Sequence, residues 1–162
     1  MALNNIGNMS IDELSASFHH DFNEYARDLF PEINYSRAYC RRLAEEAVEV
    51  RRLADEKGEL LLAHYYQRPE VQEVADFVGD SLGLGLEAKK VLDMPRDDLQ
   101  KKLGRKNPVT RVRMSAVRFM GDTVKIILGD KMRVFMPRFA GCSLVASLHG
   151  MRKMDFSKMS EE

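Results

Sequence analysis

Cysteine occurs only twice in the 162 residues, as Cys40 and Cys142, and two widely separated cysteines in a chain of this size make no disulfide framework. Either remains open as a metal or cluster ligand. No apolar run approaches the ~18 residues that a membrane helix needs, and the N-terminus has no basic segment leading into an apolar one. A cytoplasmic protein is expected. Excess charge is lacking too: 25 basic residues balance 25 acidic ones, so no global field predicts nucleic acid or a membrane as partner. Repeats and low-complexity tracts are absent. What is there, 44% hydrophobic and 31% charged residues, suits a globular domain with a sizeable core.

Ser10 and Glu13 have the spacing of a capping box, and Ile11, Leu14, Phe18, Phe22 and Tyr25 recur at helical intervals. A helix should therefore run from there to Phe30-Pro31, with His19 and His20 as ordinary helix positions. Ser36 is placed to cap a second helix, with Leu43, Ala47, Val50, Leu53 and Ala54 inward and Arg41, Arg42, Glu45, Glu46, Glu49, Arg51 and Arg52 on a solvated face. Gly58 ends it, and Cys40, near its start, reads as a buried or half-buried thiol.

Leu60 to Ala63 is continuously apolar, as in a strand covered on both faces. It stops at His64-Tyr65-Tyr66-Gln67, after which Pro69 opens a helix with Val71, Val74, Ala75 and Val78 inward, closed by Gly79. Ser81 is then placed to cap a short helix through Leu82, Leu84, Leu86 and Ala88. Seven basic residues from Lys101 to Arg118, with no acidic one among them and no interleaved aromatics, read as a solvated insertion of about residues 93–110. Val112 to Val117 fits a second strand, Phe119 to Leu128 a helix, Met132 to Met136 a third strand, and Ala140-Gly141-Cys142 a turn into a last helix.

Strands alternating with helices require right-handed crossovers and a parallel sheet. The expected architecture is α/β: a three-layer α/β/α domain over 36–150 with a short parallel sheet, an N-terminal helical extension over 1–35, and a polar tail over 151–162. Parallel sheets bind ligands beyond the carboxyl ends of their strands. His64 and Tyr66 follow the first strand, Arg118 the second and Cys142 the third, so all are expected along one edge.

Four blocks in order are specific enough to indicate a family: Ala63-His64-Tyr65-Tyr66-Gln67-x-Pro69-Glu70-Val71-Gln72, Ala75-Asp76-Phe77-Val78-Gly79-Asp80-Ser81-Leu82-Gly83-Leu84, Val117-Arg118-Phe119-Met120-Gly121-Asp122-Thr123-Val124-Lys125-Ile126 and Gly141-Cys142-Ser143-Leu144. The chain resembles quinolinate synthase, the iron–sulfur enzyme of de novo NAD biosynthesis, in its first domain. The resemblance implies three similar α/β/α domains around one site, each giving one cysteine to a [4Fe-4S] cluster, and condensation of iminoaspartate with dihydroxyacetone phosphate to quinolinate. It implies Cys142 as a cluster ligand, His64 and Ser81 as holders of substrate carboxylate, and Tyr66 as a proton relay. The second and third domains are missing from the sequence, so the chain is expected neither to hold the cluster nor to turn over alone. Two alternatives follow: a non-catalytic domain binding dicarboxylate or phosphate, or one part of an enzyme whose partner chain supplies the other cysteines.

Overall fold

The computed structural model describes residues 6–29 and 31–137. Helices α1 (Ile11–Leu29) and α2 (Arg37–Glu56) precede β1 (Glu59–His64), α3 (Pro69–Glu73), β2 (Phe77–Gly79), α4 (Ser81–Leu92), α5 (Arg96–Leu103), β3 (Arg111–Ser115), α6 (Arg118–Leu128) and β4 (Arg133–Phe135), with a 3-10 turn over Gly129–Lys131. The four strands lie in the order β2-β1-β3-β4, and every neighbouring pair is parallel. Helices flank this sheet, as an α/β fold requires.

Local chemistry accounts for the helix ends. Ser10 and Glu13 form the reciprocal box: the Glu13 carboxylate accepts from the Ser10 backbone N–H at 2.9 Å, and the Ser10 hydroxyl accepts from the Glu13 N–H at 3.3 Å. Ser36 caps α2 by accepting from the Tyr39 N–H. Gly58, just past its end, has φ +62°, and a Cβ there would lie 2.5 Å from the Pro108 carbonyl oxygen. Only glycine satisfies both demands.

Among the described residues two apolar clusters form. Leu60 and Leu62 of β1 and Val112 and Met114 of β3 pack against Leu84, Ala88 and Val91 of α4, Met120, Val124 and Leu128 of α6, and Leu99 and Leu103 of α5. The second joins Leu14, Phe18, Phe22 and Ala26 of α1 to Cys40, Ala44 and Ala47 of α2, with Tyr35 between them. The Tyr35 hydroxyl donates to Glu70 Oε2 at 2.8 Å, tying this hairpin to α3.

The structure corrects four expectations. The helix from Pro69 stops at Glu73, and Phe77–Gly79 is a strand: β1 has a free edge, and pairing there, Leu62 with Phe77 through His64 with Gly79, outweighs the helical spacing of Val74 and Val78. The inward face of α2 is Cys40, Ala44, Ala47 and Ala54, while Val50 is 39% exposed. Residues 93–110 are not simply a solvated insertion, since α5 buries Leu99 and Leu103, and Arg105 is itself 4% exposed. Finally, Arg51 leaves the solvated face for a buried ion pair.

That pair centres on Asp76, whose side chain is fully buried. Its Oδ1 accepts from Arg51 Nη1 at 2.6 Å, and its Oδ2 accepts from Arg105 Nη2 and, at 2.7 Å, from the Leu61 backbone N–H. Asp76 thus fastens α2, β1 and the segment after α5 to the start of β2. Nearby, Glu59 and Arg113 make a bidentate bridge at 2.5 and 2.7 Å across β1 and β3, and Arg111 lies over the Phe135 ring. Much of the basic segment is therefore consumed within the fold.

Candidate functional site at the carboxyl edge of the sheet

All four strands run the same way, so His64, Gly79, Ser115 and Phe135 end along one edge. The register sets His64 beside Gly79, which brings the turn after β1 next to Asp80 and Ser81. Arg118 opens α6 after β3 on the same edge. His64, Tyr66, Ser81 and Arg118 are therefore gathered where the parallel topology requires. Cys142 and the helix expected after it lie outside the described residues.

His64 is the last residue of β1 and 3% exposed. Its Nδ1 accepts from the Tyr66 backbone N–H at 3.2 Å, so a neutral ring carries its proton on Nε2, available as a donor. Burial lowers its pKa, and the nearby Asp80 carboxylate opposes that shift. The rings of His64, Tyr65 and Tyr66 pack together, with centroids 4.4 to 4.6 Å apart. Tyr66 is 74% exposed, and its hydroxyl lies 3.4 Å from that of Tyr65, which donates to it. That bond raises the Tyr65 pKa first, with the negative charge of Asp80 adding to it.

The turn is held by backbone bonds. The Tyr65 N–H donates to the Gly79 carbonyl and the Gln67 N–H to the His64 carbonyl. Gln72 reaches back from α3, its Nε2 donating to the carbonyls of Tyr65 at 3.1 Å and Gln67 at 2.6 Å. Asp80, and not Ser81, caps α4: its carboxylate accepts from the Gly83 N–H at 2.8 Å. Either residue type can cap, but the bend after β2 leaves Asp80 in extended backbone and puts Ser81 in the first helical turn. Ser81 is half-buried there, with its hydroxyl released from capping. Gln72 and Asp80 are the site residues that the sequence reading passed over; the Asp80-x-x-Gly83 spacing was the available signal for the cap.

Chemically, the edge offers an imidazole N–H, a serine hydroxyl at a helix N-terminus and an exposed phenol, a donor set suited to a carboxylate. It offers no cluster ligands among the described residues, where no group of three His, Cys, Asp or Glu is placed to hold a metal. Cys40 is fully buried between α1 and α2, its Sγ directed at the Tyr35 carbonyl, and burial raises its pKa. A thiol so placed does not serve this edge.

Comparison with known proteins bears on the same segment. Residues 48–96 match the family described as "Quinolinate synthetase A protein". The quinolinate synthase of Mycolicibacterium paratuberculosis is 40% identical over 105 residues, 65% of this chain and 26% of that protein. That of Aquifex aeolicus is 43% identical over 96 residues, 59% and 25% of the two chains. That of Thermus thermophilus is 41% identical over 102 residues, 63% and 28%. The chain spans about a quarter of the length of the curated relatives it matches, and over that stretch it is similar to the quinolinate synthases.

Proposed function

We propose that the chain carries the first-domain part of a quinolinate synthase site, in which His64 and Ser81 hold a carboxylate of the substrate and Tyr66 handles a proton. The observation that carries this reading is the pairing of His64, at the end of β1, with Gly79, at the end of β2 and two residues before Ser81, the Nδ1 of His64 accepting from a backbone N–H and its Nε2 left to donate. Asp80 favours a proton on His64, and a bound carboxylate would favour it further. The family reaction, condensation of iminoaspartate with dihydroxyacetone phosphate to quinolinate for NAD synthesis, belongs to this proposal. So does a [4Fe-4S] cluster with Cys142 as one ligand, a group that would act on substrate as a Lewis acid. With one such cysteine, the chain alone is proposed to bind without turning over.

Calorimetric titration with quinolinate tests the pocket. Binding should be measurable and should weaken at least about tenfold in His64→Ala, roughly the loss of one charge-assisted hydrogen bond. Equal affinity in the variant, or no binding by the parent chain, would discard the assignment.

A second reading follows from exposure at this edge: Tyr66, Leu82, Leu86 and Phe119 are large, apolar or aromatic, and exposed. A partner chain supplying the remaining cysteines would cover them. Sedimentation under anaerobic conditions, with and without iron and sulfide, should then show association on cluster assembly; a monomer under both conditions rejects that arrangement.

A further inference from the structure

A cavity of about 420 Å³ opens at the other end of the strands, between the second half of α2 and the segment that follows α5. Val48, Arg51, Asp55, Leu103, Arg105 and Lys106 are among its lining residues. Arg51 and Arg105 share the single carboxylate of Asp76, so two largely buried guanidinium groups face one directly paired counter-charge. Asp55, on the same lining, makes no ion pair with either arginine; its carboxylate accepts from the backbone N–H groups of Lys106 and Asn107 and from Asn107 Nδ2. Arg52, also on the lining, is engaged by Glu49 and Glu56.

Arg105 is the unusual member. Its side chain is 2% exposed, and among the described residues its only hydrogen bond is from Nη2 to Asp76. Its Nε–H is buried with no acceptor. A guanidinium has five donors in a planar fork that matches phosphate or carboxylate oxygens two at a time, so most of its capacity is unused. Lys106 adds an exposed ammonium at the rim, while Val48 and Leu103 give an apolar wall.

We propose that this cavity is a binding site for a small metabolite that carries a phosphate or carboxylate group on a compact organic body, with Arg105 and Arg51 as its anion-binding donors and Lys106 at the entrance. The site stands apart from His64 and Ser81 and does not depend on the function proposed for them. Its link to that edge runs through Asp76, which precedes β2, and β2 leads directly into Asp80 and Ser81.

The test titrates the full chain with glycerol 3-phosphate, inorganic phosphate and succinate, with glycerol as the uncharged control, followed by two-dimensional amide NMR and calorimetry. At least one anion should shift the amides of Gly104, Arg105 and Lys106 while glycerol shifts none. Lys106→Ala should raise its Kd about two- to fivefold, the effect of losing one exposed charge contact. Arg105→Lys should abolish binding; if that variant does not fold, Lys106→Ala and the amide map decide. The proposal is overturned if no anion moves these amides at concentrations up to about 10 mM, a Kd beyond the useful range for a metabolite, if glycerol reproduces the shifts, or if Lys106→Ala binds as the parent does.

Discussion

Replacing Asp76 tests the central fastening of this fold. Its carboxylate is fully buried and faces Arg51 and Arg105, whose side chains are 15% and 2% exposed, and it also takes the Leu61 N–H at 2.7 Å. In Asp76→Ala two buried guanidinium groups lose their counter-charge, and breaking such a pair costs about 3–5 kcal/mol. The orphaned Leu61 N–H adds to this, though not additively, about 1–3 kcal/mol. Asp76→Asn keeps an acceptor for one donor but turns an amide NH2 toward another, so a loss of about 2–4 kcal/mol is expected. Against a total stability of about 5–15 kcal/mol for a domain, the alanine chain should be partly unfolded at 25 °C. Urea unfolding followed by far-UV circular dichroism measures both. A loss below about 1 kcal/mol in each variant, the range of exposed pairs, would refute the reasoning, as would a loss that added salt removes, since screening reaches surface charges far more than buried ones.

Three further outcomes follow. Gly58→Ala should destabilise by about 1–3 kcal/mol in the same urea assay, because φ +62° and the Pro108 carbonyl 2.5 Å from the new Cβ oppose it together; an unchanged midpoint would mean that the turn opens freely. Burial lowers the His64 pKa below its ordinary value, so the stability it contributes is complete above about pH 6.5 and is lost as pH falls through the lower native value. Urea midpoints between about pH 7.5 and 5 should therefore fall more steeply in the parent than in His64→Gln, and parallel slopes would contradict this. Tyr35→Phe removes the donor to Glu70 and should cost about 1 kcal/mol, a cost that disappears in a Glu70→Ala background if the hydroxyl acts through that side chain alone.

Sequence by itself determined what depends on neighbours along the chain. The Ser10-Glu13 box, the Ser36 cap and the glycine after α2 all use groups within a few residues of one another, so spacing suffices to find them. Four apolar residues ending at His64 sufficed to mark a fully covered strand, because parallel strands are shielded on both faces. The same reasoning gathered His64, Tyr66 and Arg118 on one edge before any coordinate was known, together with Cys142, which lies outside the described residues. The four residue blocks likewise carried the likeness to quinolinate synthase.

Tertiary structure decided what depends on partners distant in sequence. Arg51 has the periodicity of a solvated helix face, and Arg105 sits in a run of like charge; only folding brings Asp76 to both, from 25 and 29 residues away. Phe77–Gly79 is too short to announce itself as a strand, and it becomes one because β1 offers an unpaired edge. Asp80 took the cap expected of Ser81 because that pairing fixes where the chain bends. In the first two cases a buried hydrogen-bonding group required a partner, and in all three the outcome was a property of the packed sheet and not of the local pattern.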